Sequence, residues 1–154
     1  MPSDAVLYQA AALCLTYPDG DLVARVPLLR EAAPQLREFT DHAAVTPLGE
    51  LAAHYERVFG QGSGHSLHLS RWSRSGEVSL GRFADVYREH GLEFSRDELP
   101  DFLPAVLECA SRTGSTELLT DHRGALEELR SRLTDFGTPY ASVLNAVCVA
   151  LPAA

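Results

Sequence analysis

The sequence contains no lysine, so all 13 of its basic side chains are arginines. It therefore lacks the lysine of a Walker-type phosphate loop, and no strand pattern precedes its glycine-rich stretch 60–64. Apolar runs are short, and none reaches the roughly 18 residues that a membrane span needs. The start, Met1-Pro2-Ser3-Asp4, has no positively charged region typical of a signal peptide. We therefore expect a cytoplasmic protein that does not insert into the membrane and does not bind nucleotides through a Walker loop.

Cysteine is also scarce. Cys14, Cys109 and Cys148 are odd in number, widely spaced and set among apolar residues, which does not fit a disulfide framework. We expect all three to be reduced thiols in the core. Paired cysteines, and with them a structural zinc site of that type, are missing.

Acidic residues outnumber basic ones, 21 to 13, and give a formal net charge of -8. This charge repels nucleic acid and anionic membrane surfaces and favours cationic partners. Within 154 residues, 45% are hydrophobic, which is enough for a substantial core. The composition predicts one globular domain with no nucleic-acid partner.

Apolar residues recur at spacings of three and four along almost the whole chain, which is typical of amphipathic helices. Helical segments are predicted over residues 5–16, 22–29 with Pro27 interrupting or kinking the helix, 46–59, 80–91, 100–114, 115–136 and from 138 onward. Residues 34–45 are predicted to form a short helix and a connector. No alternating strand, internal repeat or interdomain linker is evident. We predict a single all-α domain, a helical bundle over residues 1–154, with a flexible segment around 60–79 because glycine and serine are frequent there.

Three histidines, His54, His65 and His68, could form a metal site if the chain folded back after residue 60. No carboxylate or thiol at ligand spacing completes the set, so we predict that no metal is bound. A metal-dependent hydrolase built on these histidines is kept as an alternative function.

Charged residues cluster at two places. Four carboxylates surround a predicted helix start: Glu93, Asp97, Glu98 and Asp101. They fit a functional acidic rim and simple stabilisation of a helix start equally well. Three arginines flank a tryptophan: Arg71, Arg74 and Arg82 around Trp72. The short length of this patch and the negative net charge favour solvated surface over a nucleic-acid site.

Several motifs occur in an order that resembles a known family. They are Leu15-Thr16-Tyr17-Pro18-Asp19, Tyr55-Glu56-Arg57-Val58-Phe59, Ser66-Leu67-His68-Leu69, Tyr87-Arg88-Glu89-His90-Gly91-Leu92 and, most specifically, the string from Asp97 to Glu108, DELPDFLPAVLE. Together they resemble the NarJ branch of the TorD-like redox-enzyme maturation chaperones. The resemblance covers nearly the whole chain.

This resemblance implies an all-helical cytoplasmic chaperone that is not an enzyme. Such a protein would bind the N-terminal leader of the catalytic (alpha) subunit of a molybdenum-dependent nitrate reductase. It would assist insertion of the molybdenum cofactor into that client without binding the cofactor itself. A helical regulatory or interaction module without chaperone activity is the other alternative.

The resemblance also implies the residues that border the peptide site: Tyr55, Phe59, His68, Leu69, Glu98, Pro100, Asp101 and Leu103. An acidic helical domain with a flexible segment around 60–79 is suited to bind an amphipathic, arginine-bearing helix in a groove. We expect Glu98 and Asp101 to face the arginines of this helix. Leu69 and Leu103 would form the apolar floor.

Overall fold

The computed structural model describes residues 2–72, 80–92 and 100–152. Its α-helices, in chain order, are α1 (Pro2–Cys14), α2 (Gly20–Ala32), α3 (Arg37–Ala44), α4 (Leu48–Phe59), α5 (Leu80–Glu89), α6 (Leu103–Thr113), α7 (Glu117–Asp121), α8 (Arg123–Phe136) and α9 (Tyr140–Ala150). Short 3-10 turns occupy Pro34–Leu36 and Leu69–Trp72. Extended pairing in these ranges is limited to one antiparallel bridge between His68 and Phe102. The predicted all-α fold is confirmed.

Helices α1 and α9 lie at the centre of the packing. The most extensive interface joins α1 to α6, and α9 packs on α8, α1 and α3. Small buried side chains on α1, Ala10, Ala11 and Cys14, let the neighbouring helices approach closely. The Ser111 hydroxyl of α6 also donates a hydrogen bond of 2.7 Å to the Ala5 carbonyl oxygen. A continuous apolar core results.

All three cysteines are free and buried, as the sequence predicts. Burial raises the pKa of the Cys14 thiol to about 12. It also raises the pKa of Cys109 and of Cys148. The thiols therefore stay protonated near neutral pH and serve as small apolar side chains.

Helix α2 runs without a break through Pro27, where the sequence suggested an interruption or a kink. Proline removes one backbone N–H from a helix and leaves a carbonyl group without its donor. Because Pro27 is exposed, water can reach this side of the helix. The helix begins at Gly20, after Asp19, whose side chain accepts a hydrogen bond of 2.8 Å from the Leu22 N–H.

The long helix predicted over 115–136 is divided at His122 into α7 and α8. The Nδ1 atom of His122 lies 2.7 Å from the Leu118 carbonyl oxygen, which in a continuous helix would accept the His122 N–H. That N–H instead bonds the Leu119 carbonyl oxygen at 3.2 Å. The His122 side chain thus competes with its own backbone, and its ring packs 4.9 Å from the ring of Phe83.

The helix expected from Pro100 begins three residues later, at Leu103. Two long-range hydrogen bonds hold the preceding residues out of the helix. The Tyr87 hydroxyl donates to the Pro100 carbonyl oxygen at 2.6 Å, and the Leu69 N–H donates to the Asp101 carbonyl oxygen at 3.1 Å. Tertiary pairing therefore overrides the local helix signal here.

Two buried tyrosines differ in how their hydroxyl groups are satisfied. The hydroxyl of Tyr140 has no hydrogen-bond partner among the described residues, whereas that of Tyr87 binds Pro100. We expect Tyr140→Phe to leave the free energy of unfolding unchanged or to raise it by up to about 1 kcal/mol, because only an unpaired group is removed. Tyr87→Phe should lower it by about 1–3 kcal/mol, because the Pro100 carbonyl loses its donor. Urea unfolding of both variants checks this, and equal losses would contradict the packing described.

Candidate functional site

An open groove of about 710 Å³ lies between the end of α4, the segment 60–72 and helix α8. We call it the 60–72 groove. Its lining side chains and backbone belong to Tyr55, Phe59, Gly60, Gln61, Gly62, Ser63, Gly64, Ser66, Leu67, His68, Arg71, Trp72, Phe102 and Arg132. The groove therefore combines aromatic walls, a glycine-rich edge and two arginines.

Helix α4 supplies the aromatic wall. Tyr55 and Phe59 are four residues apart and thus share one helix face, and their ring centroids are 5.0 Å apart. The Phe59 ring packs 4.8 Å from the buried ring of Tyr140. The Tyr55 hydroxyl donates a 3.0 Å hydrogen bond to the carbonyl oxygen of Leu15. This wall is therefore anchored in the core and presents a rigid apolar surface.

The glycines after α4 turn the chain back along the groove. At Gly60 a Cβ atom would lie 2.2 Å from the Glu56 carbonyl oxygen, so no larger residue fits without a backbone shift. Gly62 and Gly64 have φ angles of 83° and 84°, in the left-handed region that favours glycine. Glycine is therefore required at Gly60 and favoured at Gly62 and Gly64, and the chain forms a compact edge here.

Asp101 organises the opposite side of the groove. Its side chain is completely buried and accepts hydrogen bonds from the Ser70 N–H at 2.9 Å and the Ser70 hydroxyl at 2.5 Å. His68 Nδ1 lies 3.2 Å from the other carboxylate oxygen. Burial alone would raise the pKa of Asp101, but the hydrogen bonds from Ser70 and His68 outweigh burial and lower this pKa below its ordinary 3.8. The ionised carboxylate therefore fixes residues 68–70 to the start of α6.

Trp72 is held by a hydrogen bond and a cation. Its Nε1–H donates to the Ser66 carbonyl oxygen at 2.9 Å. The Arg132 guanidinium of α8 lies 5.0 Å from the centroid of the tryptophan ring. Arg132 Nε also binds a Glu128 carboxylate oxygen at 3.1 Å. Segment 60–72 is thus tied to α8 across the groove.

The structure divides the predicted peptide-binding residues into two sets. Tyr55, Phe59 and His68 line the groove. Four others are buried: Leu69, Pro100, Asp101 and Leu103. We therefore revise two expected roles, because Leu69 and Leu103 belong to the core rather than to an exposed floor, and Asp101 has no surface for a partner's arginine. Glu98, like Glu93 and Asp97, lies outside the described residues.

The three histidines considered for a metal site are separately engaged. His54 Nε2 lies 2.7 Å from the Thr138 hydroxyl, His65 Nδ1 donates to the Val58 carbonyl oxygen at 2.9 Å, and His68 faces Asp101. Burial, followed by the nearby His42 and Arg57, lowers the pKa of His54. Across residues 2–72, 80–92 and 100–152, no three histidine, cysteine or carboxylate side chains are grouped as metal ligands. Each of the three histidines is thus engaged by a different partner.

Two of the three arginines noted around Trp72 lie in the described ranges and have different surroundings. Arg71 lines the groove with Trp72, but Arg82 of α5 pairs instead with Glu117 at 3.4 Å and Asp121 at 3.0 Å. Arg74 lies outside the described residues. Sequence analysis missed Arg132, which no local pattern connects to Trp72. It also missed Ser70, although this residue directly follows the Ser66–Leu69 motif and bonds the buried carboxylate.

Comparison with known proteins adds to this geometry. Residues 26–146 match the sequence model of a family described as nitrate reductase delta subunit. The chain belongs to this family. Nothing in the helix pattern alone selects the family, whereas the sequence match extends from α2 into α9.

Members and relatives of the delta subunit family differ in length. The chain is 27% identical to the probable nitrate reductase molybdenum cofactor assembly chaperone NarJ of Bacillus subtilis, over 95% of this chain and 88% of that protein. It is 30% identical to the nitrate reductase-like protein NarX of Mycobacterium tuberculosis, over 93% of this chain. The chain spans about a quarter of NarX, 24%. The similarity to the NarJ branch indicated by the motifs is confirmed.

A solved structure shares the fold of this delta subunit family member. A redox enzyme maturation protein from Archaeoglobus fulgidus superposes with a TM-score of 0.75 over 97% of this chain and 92% of that chain, at 24% identity. This likeness shows that the two chains share the same helical fold. In the part of the chain that the structure describes, no helix is both long enough and apolar enough to cross a membrane.

Asp101 should make the stability of the protein depend on pH. Its folded pKa lies below the ordinary 3.8, so its contribution is complete above that pH and is lost as the pH falls through the folded value. We expect Asp101→Asn to cost about 2–4 kcal/mol at neutral pH, because an amide cannot accept as many hydrogen bonds from Ser70 and His68. This cost should shrink under acidic conditions. Urea unfolding across pH checks both effects.

The exposed Asp135 provides a matched control. Asp135→Asn should change the free energy of unfolding by less than about 0.5 kcal/mol at every pH. If Asp101→Asn behaved like this control, the buried carboxylate would not organise the groove.

Proposed function

We propose that this protein is a chaperone for the assembly of a molybdenum-dependent nitrate reductase. It binds the N-terminal leader of the catalytic (alpha) subunit and holds that client ready for insertion of the molybdenum cofactor. It acts in the cytoplasm, by binding and not by catalysis. The observation that carries this proposal is the similarity to Bacillus subtilis NarJ, a probable nitrate reductase molybdenum cofactor assembly chaperone, along nearly the full length of both chains.

A second relative supports the same function. The chain is 32% identical to the probable nitrate reductase molybdenum cofactor assembly chaperone NarW of Escherichia coli, over 68% of this chain and 49% of that protein. NarX, which is named only as nitrate reductase-like, contains a similar region within a longer chain. The family description likewise connects the sequence to nitrate reductase.

The 60–72 groove is the site we assign to the leader. Its aromatic wall, formed by Tyr55 and Phe59, offers apolar surface that an amphipathic peptide can cover. Its volume of about 710 Å³ and open shape suit several side chains of an elongated ligand. His68 lines this surface, and the buried Asp101 side chain holds His68 in place. Together these features favour reversible peptide binding.

The state of Asp101, beside the groove, supports the non-catalytic mode of action that we propose. The Asp101 carboxylate is buried and accepts hydrogen bonds from Ser70 and His68. Such a group positions the backbone and does not exchange protons with a substrate. On this proposal, the molybdenum cofactor is bound by the client, while the chaperone contributes only shape and charge around the leader.

Genetic removal and metal analysis test the proposed function together. Deleting the gene in its host should leave the nitrate reductase catalytic subunit present but poor in molybdenum, because the chaperone that assists cofactor insertion is then missing. Expressing the full chain again should restore both molybdenum content and nitrate reduction. An affinity-tagged chain should also co-purify with the catalytic subunit. A normal molybdenum content in the deletion strain would overturn the proposal.

A pair of variants tests the assigned groove. Gln61 is exposed and lines the groove, whereas Gln35 is exposed on the 3-10 turn Pro34–Leu36. Gln61→Trp should weaken binding of a synthetic leader peptide about tenfold or more in calorimetric titration, because the added indole occupies space in the groove. Gln35→Trp adds the same ring elsewhere and should bind like the unmodified protein. Equal affinities would place the leader on another surface.

A further inference from the structure

Among the described residues, the charge that lines the groove is opposite in sign to the net charge of the chain. The protein has a formal net charge of -8, yet the charged lining residues in the described ranges are Arg71 and Arg132. Arg132 forms an ion pair with Glu128, with 3.1 Å between its Nε atom and a carboxylate oxygen. Arg71 is exposed and has no ion-pair partner among residues 2–72, 80–92 and 100–152. Its guanidinium is therefore available for a negatively charged ligand group.

The backbone and the tryptophan ring next to Arg71 are fixed in place. The Arg71 N–H donates to the His68 carbonyl oxygen at 3.1 Å, within the turn that Asp101 holds. The neighbouring Trp72 ring is tied to Ser66 and stacked by Arg132. A guanidinium beside a fixed apolar ring can bind a planar carboxylate with two parallel hydrogen bonds. Phe59 and Phe102 supply apolar surface nearby.

We infer that the 60–72 groove takes a peptide segment in which an acidic side chain lies next to apolar ones, with the carboxylate on Arg71. This inference rests on the proposed function, because it assumes that the groove holds the client. It refines that function by specifying the charge of the segment. An arginine-bearing face, expected from the net charge, would meet like charge at this groove.

A peptide carboxylate fits these features better than a polyanion does. The net charge of -8 repels an extended chain of phosphates. A single carboxylate needs only the local arginine, and its apolar neighbours can cover Phe59 and Trp72. Because the pair lies near the surface, added salt should weaken the carboxylate contribution.

The protein carries its own probe for this contact, since Trp72 is its single tryptophan. Three synthetic amphipathic peptides without tryptophan serve as ligands, identical except for glutamate, glutamine or arginine at one central position. We expect the glutamate peptide to change Trp72 fluorescence and to bind about fivefold tighter than the glutamine peptide at low salt. The arginine peptide should bind most weakly. Equal binding of the glutamate and glutamine peptides, or tightest binding of the arginine peptide, overturns the inference.

Two variants, each of which removes one positive charge, test whether Arg71 causes the preference for the glutamate peptide. Arg71→Gln should reduce the glutamate preference to about onefold, because it removes the guanidinium that the carboxylate contacts. Arg25 is an exposed residue of α2 away from the groove. Arg25→Gln makes the same change in net charge and should keep the preference for the glutamate peptide. A preference lost equally in both variants would show a long-range field effect and would overturn the assignment to Arg71.

This test can be separated from that of the proposed function. A chain that restores molybdenum to the reductase but shows no glutamate preference refutes the acidic-segment inference alone. A chain that prefers the glutamate peptide but neither captures the catalytic subunit nor restores its molybdenum retains the binding chemistry and refutes the chaperone proposal. The two experiments thus fail independently.

Discussion

The buried carboxylate of Asp101 is the constraint on which the groove depends. A charged group without solvent is costly unless hydrogen bonds replace its hydration. Ser70 provides two donors and His68 a third, all from the segment that returns after α4. If that segment moved away, the buried Asp101 carboxylate would lose its hydrogen-bond donors. One ionised side chain therefore fixes the turn Leu69–Trp72 beside the start of α6.

Around this carboxylate, the two walls of the groove are built by different means. The α4 wall is rigid because Phe59 packs on the buried ring of Tyr140 and Tyr55 bonds the Leu15 carbonyl. The opposite wall is held by polar contacts, including the stacking of Arg132 on Trp72. Apolar packing thus gives a fixed surface, whereas the polar contacts give a surface that salt and pH can modulate.

Sequence periodicity predicted most helices because their buried faces repeat every three to four residues, as in α4 and α9. It failed where a side chain or a distant backbone segment bonded a backbone group of the expected helix. The His122 ring interrupts an otherwise continuous pattern, and the pairing of His68 with Phe102 delays α6. The motifs brought attention to Tyr55, Phe59 and His68, which line the groove. They could not show that Leu69 and Leu103 are buried, since a motif records residue identity and not exposure. Arg132 escaped notice because its neighbour Trp72 comes from a distant part of the chain.

The bridge between His68 and Phe102 has a mechanical consequence. Two backbone hydrogen bonds, from Leu69 to Asp101 and from Leu103 to Leu67, join the groove segment to the first turn of α6. Helix α6 in turn forms the most extensive helix interface, with α1. A ligand that displaces this segment must either break both bonds or carry the end of α6 with it. Movement of the groove segment would therefore also move the start of α6, the helix that packs on α1.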